Sequence, residues 1–130
     1  MTDENIDLVR STFAAFQRGD EEEFAKLVSD DLDVYRAEPD GAHFRGREGL
    51  MQATAEWTED FQDWTLEPAE FAAAGDHVVV RVHQTATGAQ SGVPVEGDIW
   101  FVFEISERRV VHLGFYVREH EAREAAGIPR

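Results

Sequence analysis

Between Asp3 and Arg18 the apolar residues Ile6, Val9, Phe13 and Phe16 recur at steps of three, four and three, which puts them on one face of a helix. Thr2 stands where a cap is wanted, Asp3 and Glu4 suit the positive end of the helix dipole, and Gly19 can take the left-handed conformation that stops the helix. Asp20 and Glu23 have capping-box spacing, with Asp in place of the usual hydroxyl residue, and Phe24, Leu27 and Val28 give a short second amphipathic helix. Glu21, Glu22 and Glu23 then form its solvated first turn, and the acidic cluster Ser29, Asp30, Asp31 ends it.

Leu32 to Arg36 predicts a short strand, and Ala37 to Arg45, with Pro39, Asp40 and Gly41, carries the turn chemistry of a loop suited to the rim of a pocket. A third helix starts near Gly46, with Leu50, Thr54, Trp57 and Phe61 as its buried stripe. Four segments with period-two character follow: Trp64 to Phe71, His77 to Thr87, Pro94 to Ile105 and Arg109 to Val117. Pro68 marks the first of these as an edge strand or a bulge. Gly75-Asp76 and Ser106-Glu107-Arg108 are short enough for hairpin turns, and Gly88 to Gly92 suits a longer hairpin loop, so the sheet reads as largely an antiparallel meander. A last helical stretch, Glu119 to Ala126, meets its stop at Gly127 and Pro129.

Alternation separates the strands into two faces. Val78, Val80 and Val82, then Ile99, Phe101 and Phe103, then Val111, Leu113, Phe115 and Val117 share one face, the expected core and pocket side. The other face gathers Arg81, His83, Asp98, Trp100, Val102, His112 and Tyr116, a mixed aromatic and polar surface. Phe13, Phe16, Phe24, Trp57, Trp64 and Phe101 could line a cavity for a flat or cyclic apolar molecule, with Trp57 foremost, or could be ordinary core. Phe103, Leu113 and Phe115 join them as expected ligand contacts.

Composition narrows the classes. The chain has 130 residues, 42% of them hydrophobic, which fits one folded domain over residues 1–130. A net charge of −15 repels a phosphate backbone, so no nucleic-acid partner is expected. With no cysteine there is no disulfide, thiol nucleophile or thiolate metal site. No apolar run reaches the roughly 20 residues of a membrane helix and the start lacks signal-peptide character, so the expectation is a cytoplasmic protein without a membrane partner. The single lysine, Lys26, fits either a high-salt habitat or a GC-rich genome. Neither a metal nor a cofactor is expected: His120 and Glu124 are one helical turn apart, but two ligands on an exposed terminal helix rarely make a metal site. Gly88 to Gly92 is one residue out of step with a nucleophile elbow and sits in a hairpin without the helix that motif requires.

Three stretches carry a family likeness: Phe16-Gln17-Arg18-Gly19-Asp20, Phe44-Arg45-Gly46-Arg47-Glu48-Gly49-Leu50, and Ala74-Gly75-Asp76-His77-Val78-Val79-Val80. With the order of elements, they resemble the SnoaL-like branch of the nuclear-transport-factor-two-like superfamily. The resemblance implies an α+β fold, a cone-shaped curved antiparallel sheet packed against three N-terminal helices, with a deep apolar cavity between them. It also implies a homodimer through the other sheet face, where Arg81, His83, Trp100, His112 and Tyr116 would meet the second subunit. It does not imply one reaction. The expected ligand is a small apolar molecule, and a polyketide-cyclase-like or isomerase-like proton transfer on a carbonyl compound stands beside a non-catalytic dimeric binding domain.

Arg81, His83, Asp98 and His112 can be read as an acid-base group or as a wet interface. A ketosteroid-isomerase-like site would need a carboxylate at the end of the first strand and a tyrosine on the first helix. Aligning Val34-Tyr35-Arg36 with that strand puts Arg36 and Thr12 at those positions instead. Arg36 can present a planar cation to a ligand carboxylate, phenolate or enolate, or it can simply pair with an acidic neighbour. Arg36, Asp98 and His112 are therefore the candidates for catalysis.

Overall fold

In the computed structural model, which describes residues 2–38 and 40–128, the first helix, α1, spans Thr2–Gln17. Gly19 sits at φ 69° and the amides of Gly19 and Asp20 reach back to the Phe16 and Ala15 carbonyls at 3.2 and 2.9 Å. This closes the helix in the glycine-dependent manner expected. The Asp20 carboxylate accepts from the Glu23 amide at 3.0 Å and so starts α2, Glu21–Leu27. The side chain of Thr2, expected as a cap, and the prolines Pro39 and Pro129 lie outside the described residues.

Six strands follow or interleave: β1 Val28–Arg36, β2 Ala42–Arg45, then after α3 (Gly46–Thr58) β3 Phe61–Ala74, β4 His77–Gly88, β5 Pro94–Ser106 and β6 Arg109–Tyr116. Helix α4, Glu119–Ala126, ends the described fold and stops at Gly127 with φ 70°. The sheet order is β2-β1-β6-β5-β4-β3. β3 to β6 form the expected antiparallel meander, with β3 at an edge and its register shifted between Pro68 and Glu70. β1 pairs parallel to β6, Val34 opposite Leu113 and Arg36 opposite Phe115, which makes the curved sheet a mixed one.

Beyond shifts of one to three residues at strand ends, such as β3 running Phe61–Ala74 rather than Trp64–Phe71, three differences from the sequence reading stand out. The first strand starts at Val28, not Leu32, running through the acidic cluster with an irregularity between Val28 and Asp33. Within the expected rim loop, Ala42–Arg45 forms a strand, because Gly41 at φ 60° turns the chain back onto β1 and sets His43 against Tyr35 at 4.9 Å. Phe61 does not close the α3 stripe; the helix ends at Thr58, and Phe61 opens β3 opposite Gly88.

Val78, Val80, Val82, Phe101 and Phe103 are buried on the face covered by α1, α2 and α3. On β6 the alternation needs correcting: Val110 is fully buried and Val111 is not, because a register irregularity at Glu104 and Ile105 pairs Ile105 with Val110. Val117 lies beyond the strand and is 37% exposed, yet it stays on the core side as expected. On the opposite face α4 covers part of the sheet, its Ala122 and Ala126 packing on Val79 and Val102 with Trp100, Tyr116 and Ile128 alongside. Each buried valine there removes enough apolar surface to contribute about 1.5 kcal/mol or more.

Candidate functional site

Between the sheet and α1 to α3 lies a cavity of about 80 Å³. Phe13 and Phe16 of α1, Trp57 of α3 and Trp64 of β3 reach it from the helical side and the sheet edge. Phe101, Phe103, Leu113 and Phe115 form its floor. All of the residues expected to touch a ligand therefore border one space. The rings interlock: Phe13 stacks on Phe101 at 5.5 Å, and Phe101 meets Phe115 edge-on at 4.7 Å. A cavity of roughly 150 Å³ lined by apolar side chains admits benzene. The space here is about half of that, so a whole ring enters only as the wall gives way, which makes the wall residues the limit on ligand size.

Among the described residues two charged ones line this cavity, Arg36 and Glu38. Arg36 ends β1 and is 6% exposed. Its Nη1 donates to Glu56 at 3.0 Å, its Nη2 donates to Asp40 at 3.2 Å, and its guanidinium lies over the Phe44 ring at 5.0 Å. Both sequence readings of Arg36 thus meet in one side chain, which pairs with acids and borders the cavity. Its Nε is buried and has no partner. A buried donor without an acceptor forfeits about 1–3 kcal/mol.

Glu38 is not anticipated from the strand alignment, which found no carboxylate at the end of the first strand. In the structure the Ala37 amide continues the ladder to Phe115 at 3.0 Å, and Glu38, two residues past Arg36, borders the cavity with it. Outside the cavity Glu38 accepts from Arg118 at 3.4 Å.

Gln84 is the second unanticipated residue. It occupies the core-facing row of β4 after Val78, Val80 and Val82 and is 8% exposed. Its Oε1 accepts from Trp57 Nε1 at 3.1 Å and from Trp64 Nε1 at 3.0 Å. A polar side chain in an otherwise apolar row was the clue available in the sequence. Thr12, at the position where a tyrosine was sought, turns its hydroxyl back to the Leu8 carbonyl at 2.8 Å.

The remaining candidates lie on the other sheet face. Asp98 accepts from Arg81 Nη1 at 3.1 Å and lies 2.8 Å from His83 Nδ1. The hydrogen bond to Asp98 raises the His83 pKa above its ordinary 6.5, and the same bond holds the Asp98 carboxyl below its ordinary 3.8. His112 Nδ1 lies 3.0 Å from Asp33 Oδ2. Neither Asp98 nor His112 lines the cavity. Tyr116, expected at a dimer seam, borders the cavity as well as the α4 cluster, and burial pushes its hydroxyl pKa up. Trp100 packs beside α4, while Arg81 and His83 are partly exposed. Among the described residues no group of three or more His, Asp or Glu side chains is arranged to hold a metal ion, and no helix is long and apolar enough to cross a membrane.

Solved structures share this fold. An NTF2-like protein from Burkholderia xenovorans superposes with a TM-score of 0.74 at 24% identity, covering 97% of this chain and 98% of that one. IdmH, a candidate polyketide cyclase from Streptomyces antibioticus, gives 0.71 at 20% identity over 94% and 96% of the two chains. AclR, a candidate hydroxylase from Streptomyces galilaeus, gives 0.70 at 20% identity over 99% and 100%. No curated protein matches the chain at a significant level. The model of the SnoaL-like domain family matches residues 9–113, and the chain that builds this cavity between sheet and helices belongs to that family.

Proposed function

We propose that the chain binds a small, largely apolar carbonyl compound in the cavity and moves a proton on it, in the manner of an isomerase or cyclase. The observation that carries this reading is the Arg36 guanidinium bordering an aromatic cavity with one donor, its buried Nε–H, still unpartnered. That donor suits a carbonyl oxygen, and it suits the enolate oxygen formed on deprotonation still better, because hydrogen bonds to charged groups are the stronger. Glu38, the other charged residue on the cavity, is the base that would take the proton from the adjacent carbon. Asp40 and Glu56 hold the guanidinium plane still and offset its charge, so a neutral substrate enters more readily than an anionic one.

Incubation with small aryl ketones in D2O tests this directly. Exchange of the α-protons, lost in Glu38→Gln while ketone binding persists, is the expected result. A protein whose melting temperature no apolar ketone shifts, and which exchanges no proton, would sink the reading.

A second reading concerns the outer sheet face, where Arg81, His83 and Asp98 form a partly exposed polar group beyond α4. We propose that two copies pair across it. Charge reversal by Arg81→Glu should then convert a dimer to a monomer in sedimentation, and an unchanged species would remove the proposal.

A further inference from the structure

Two tryptophans from different elements, Trp57 on α3 and Trp64 on β3, form part of the cavity wall, and both give their indole N–H to one atom, Gln84 Oε1. An indole nitrogen can only donate, so the amide oxygen must face both rings, and each of its two lone pairs is used. Gln84 itself does not line the cavity. It belongs to β4, in the middle of the sheet's meander, whereas β3 is an edge strand and α3 is a separate helix. One buried acceptor therefore fixes the rotation of two large rings that the rest of the fold would leave freer, and the rings bound the space open to a ligand. An aliphatic side chain would fill the row as well as Val78, Val80 and Val82 do, without the desolvation penalty of a buried amide. What an amide adds at this position is direction.

We infer that Gln84 is the positioning residue of the cavity wall: by holding Trp57 and Trp64 it sets the cavity's width, and so the preference for single-ring over fused-ring ligands. The second half of this inference rests on the ligand-binding reading above. The first half does not, and the two can be judged separately.

The test uses the intact chain, Gln84→Leu and Gln84→Glu. A carboxylate keeps an acceptor for both indoles, so the second variant is the rescue. In 15N-labelled protein the Trp57 and Trp64 indole signals should exchange slowly with solvent. Both should lose that protection in Gln84→Leu and keep it in Gln84→Glu, with Trp100, on the other sheet face, unchanged in all three. Acetophenone and 2-acetonaphthone then serve as ligand probes. The wild type should favour acetophenone, and the ratio of the two dissociation constants should fall roughly tenfold in Gln84→Leu and be restored in Gln84→Glu. Indole signals that Gln84→Leu leaves protected would overturn the positioning role. Lost protection with an unchanged ratio would overturn the specificity role alone. A wild type that binds neither ketone would sink the carbonyl reading and the specificity role with it, while the indole signals would still decide the positioning role. If Gln84→Leu does not fold, an unprotected indole pair in folded Gln84→Glu counts against the inference.

Discussion

A guanidinium whose terminal nitrogens are both taken by carboxylates keeps little freedom, and the remaining Nε–H of Arg36 points wherever that clamp directs it. The two clamping acids are open to solvent, with 54% of the Asp40 side chain and 41% of Glu56 exposed, so both can rehydrate if the cation is removed. Arg36→Met should therefore destabilise the fold by no more than about 1–2 kcal/mol, far below the penalty for stranding a buried charge. Ketone binding should weaken about tenfold or more, the worth of one hydrogen bond to a charged donor. Calorimetric titration beside a urea melt separates the two effects. The His83 and Asp98 pair behaves differently. His83 is raised above 6.5, so its stabilising share is complete below that value and is lost as pH climbs through the higher folded value. Asp98 is lowered from 3.8, so its share is present above that value and is lost as pH falls through the lower folded one. His83→Gln should accordingly lose more stability at pH 6 than at pH 9 in matched urea melts. Equal losses at both pH values would show that the hydrogen bond to Asp98 is not felt.

At the level of elements, the hairpin joining β5 to β6 turns through Glu107 and Arg108, which sit at φ 52° and 63°. Left-handed backbone disfavours residues with a Cβ by roughly 1–2 kcal/mol each, and this two-residue turn is the kind that prefers Asn-Gly. Replacing the pair by Asn and Gly should raise stability by about 1 kcal/mol after the added chain entropy of glycine is allowed for. A parallel rise in the urea midpoint without a change of slope would check it. The same hairpin shows why part of the fold was legible in the sequence and part was not. Strand existence, the two faces of β4 and β5, and the glycine stops at Gly19 and Gly127 all follow from periodicity and local conformational preference, which act over a few residues. The Val110 inversion arises from a pairing irregularity with Ile105, a non-local event that leaves the residue types unchanged. β2 and the parallel pairing of β1 with β6 are likewise decided by partners far along the chain. The cavity residues were legible because they share the core face. Glu38 and Gln84 were not, because each is polar and what ties it to the cavity wall, the turn after β1 for Glu38 and the two indole donors for Gln84, comes from residues elsewhere in the fold.

Across the whole molecule, 27 acidic side chains face 12 basic ones, so even complete pairing leaves a large excess of like charge. Two opposed effects of salt follow. Screening weakens local pairs such as Arg18 with Asp20 and Arg123 with Glu119, but surface pairs of this kind are worth about 0–1 kcal/mol each. Screening also relieves the mutual repulsion of the excess carboxylates, which the folded state concentrates and the unfolded chain spreads apart. That second effect grows with the square of the net charge, whereas the first is limited by the number of basic residues. At −15 the repulsion should win. The screening length shrinks from about 30 Å at 0.01 M to about 3 Å at 1 M salt, below the spacing of most surface charges. The thermal midpoint should therefore rise steadily with sodium chloride over that range at pH 7, and the rise should flatten at pH 4, where many carboxylates are protonated and the excess shrinks. A midpoint that falls with salt at neutral pH would mean that the local pairs, Arg36 with its two carboxylates foremost among them, outweigh the field of the whole surface.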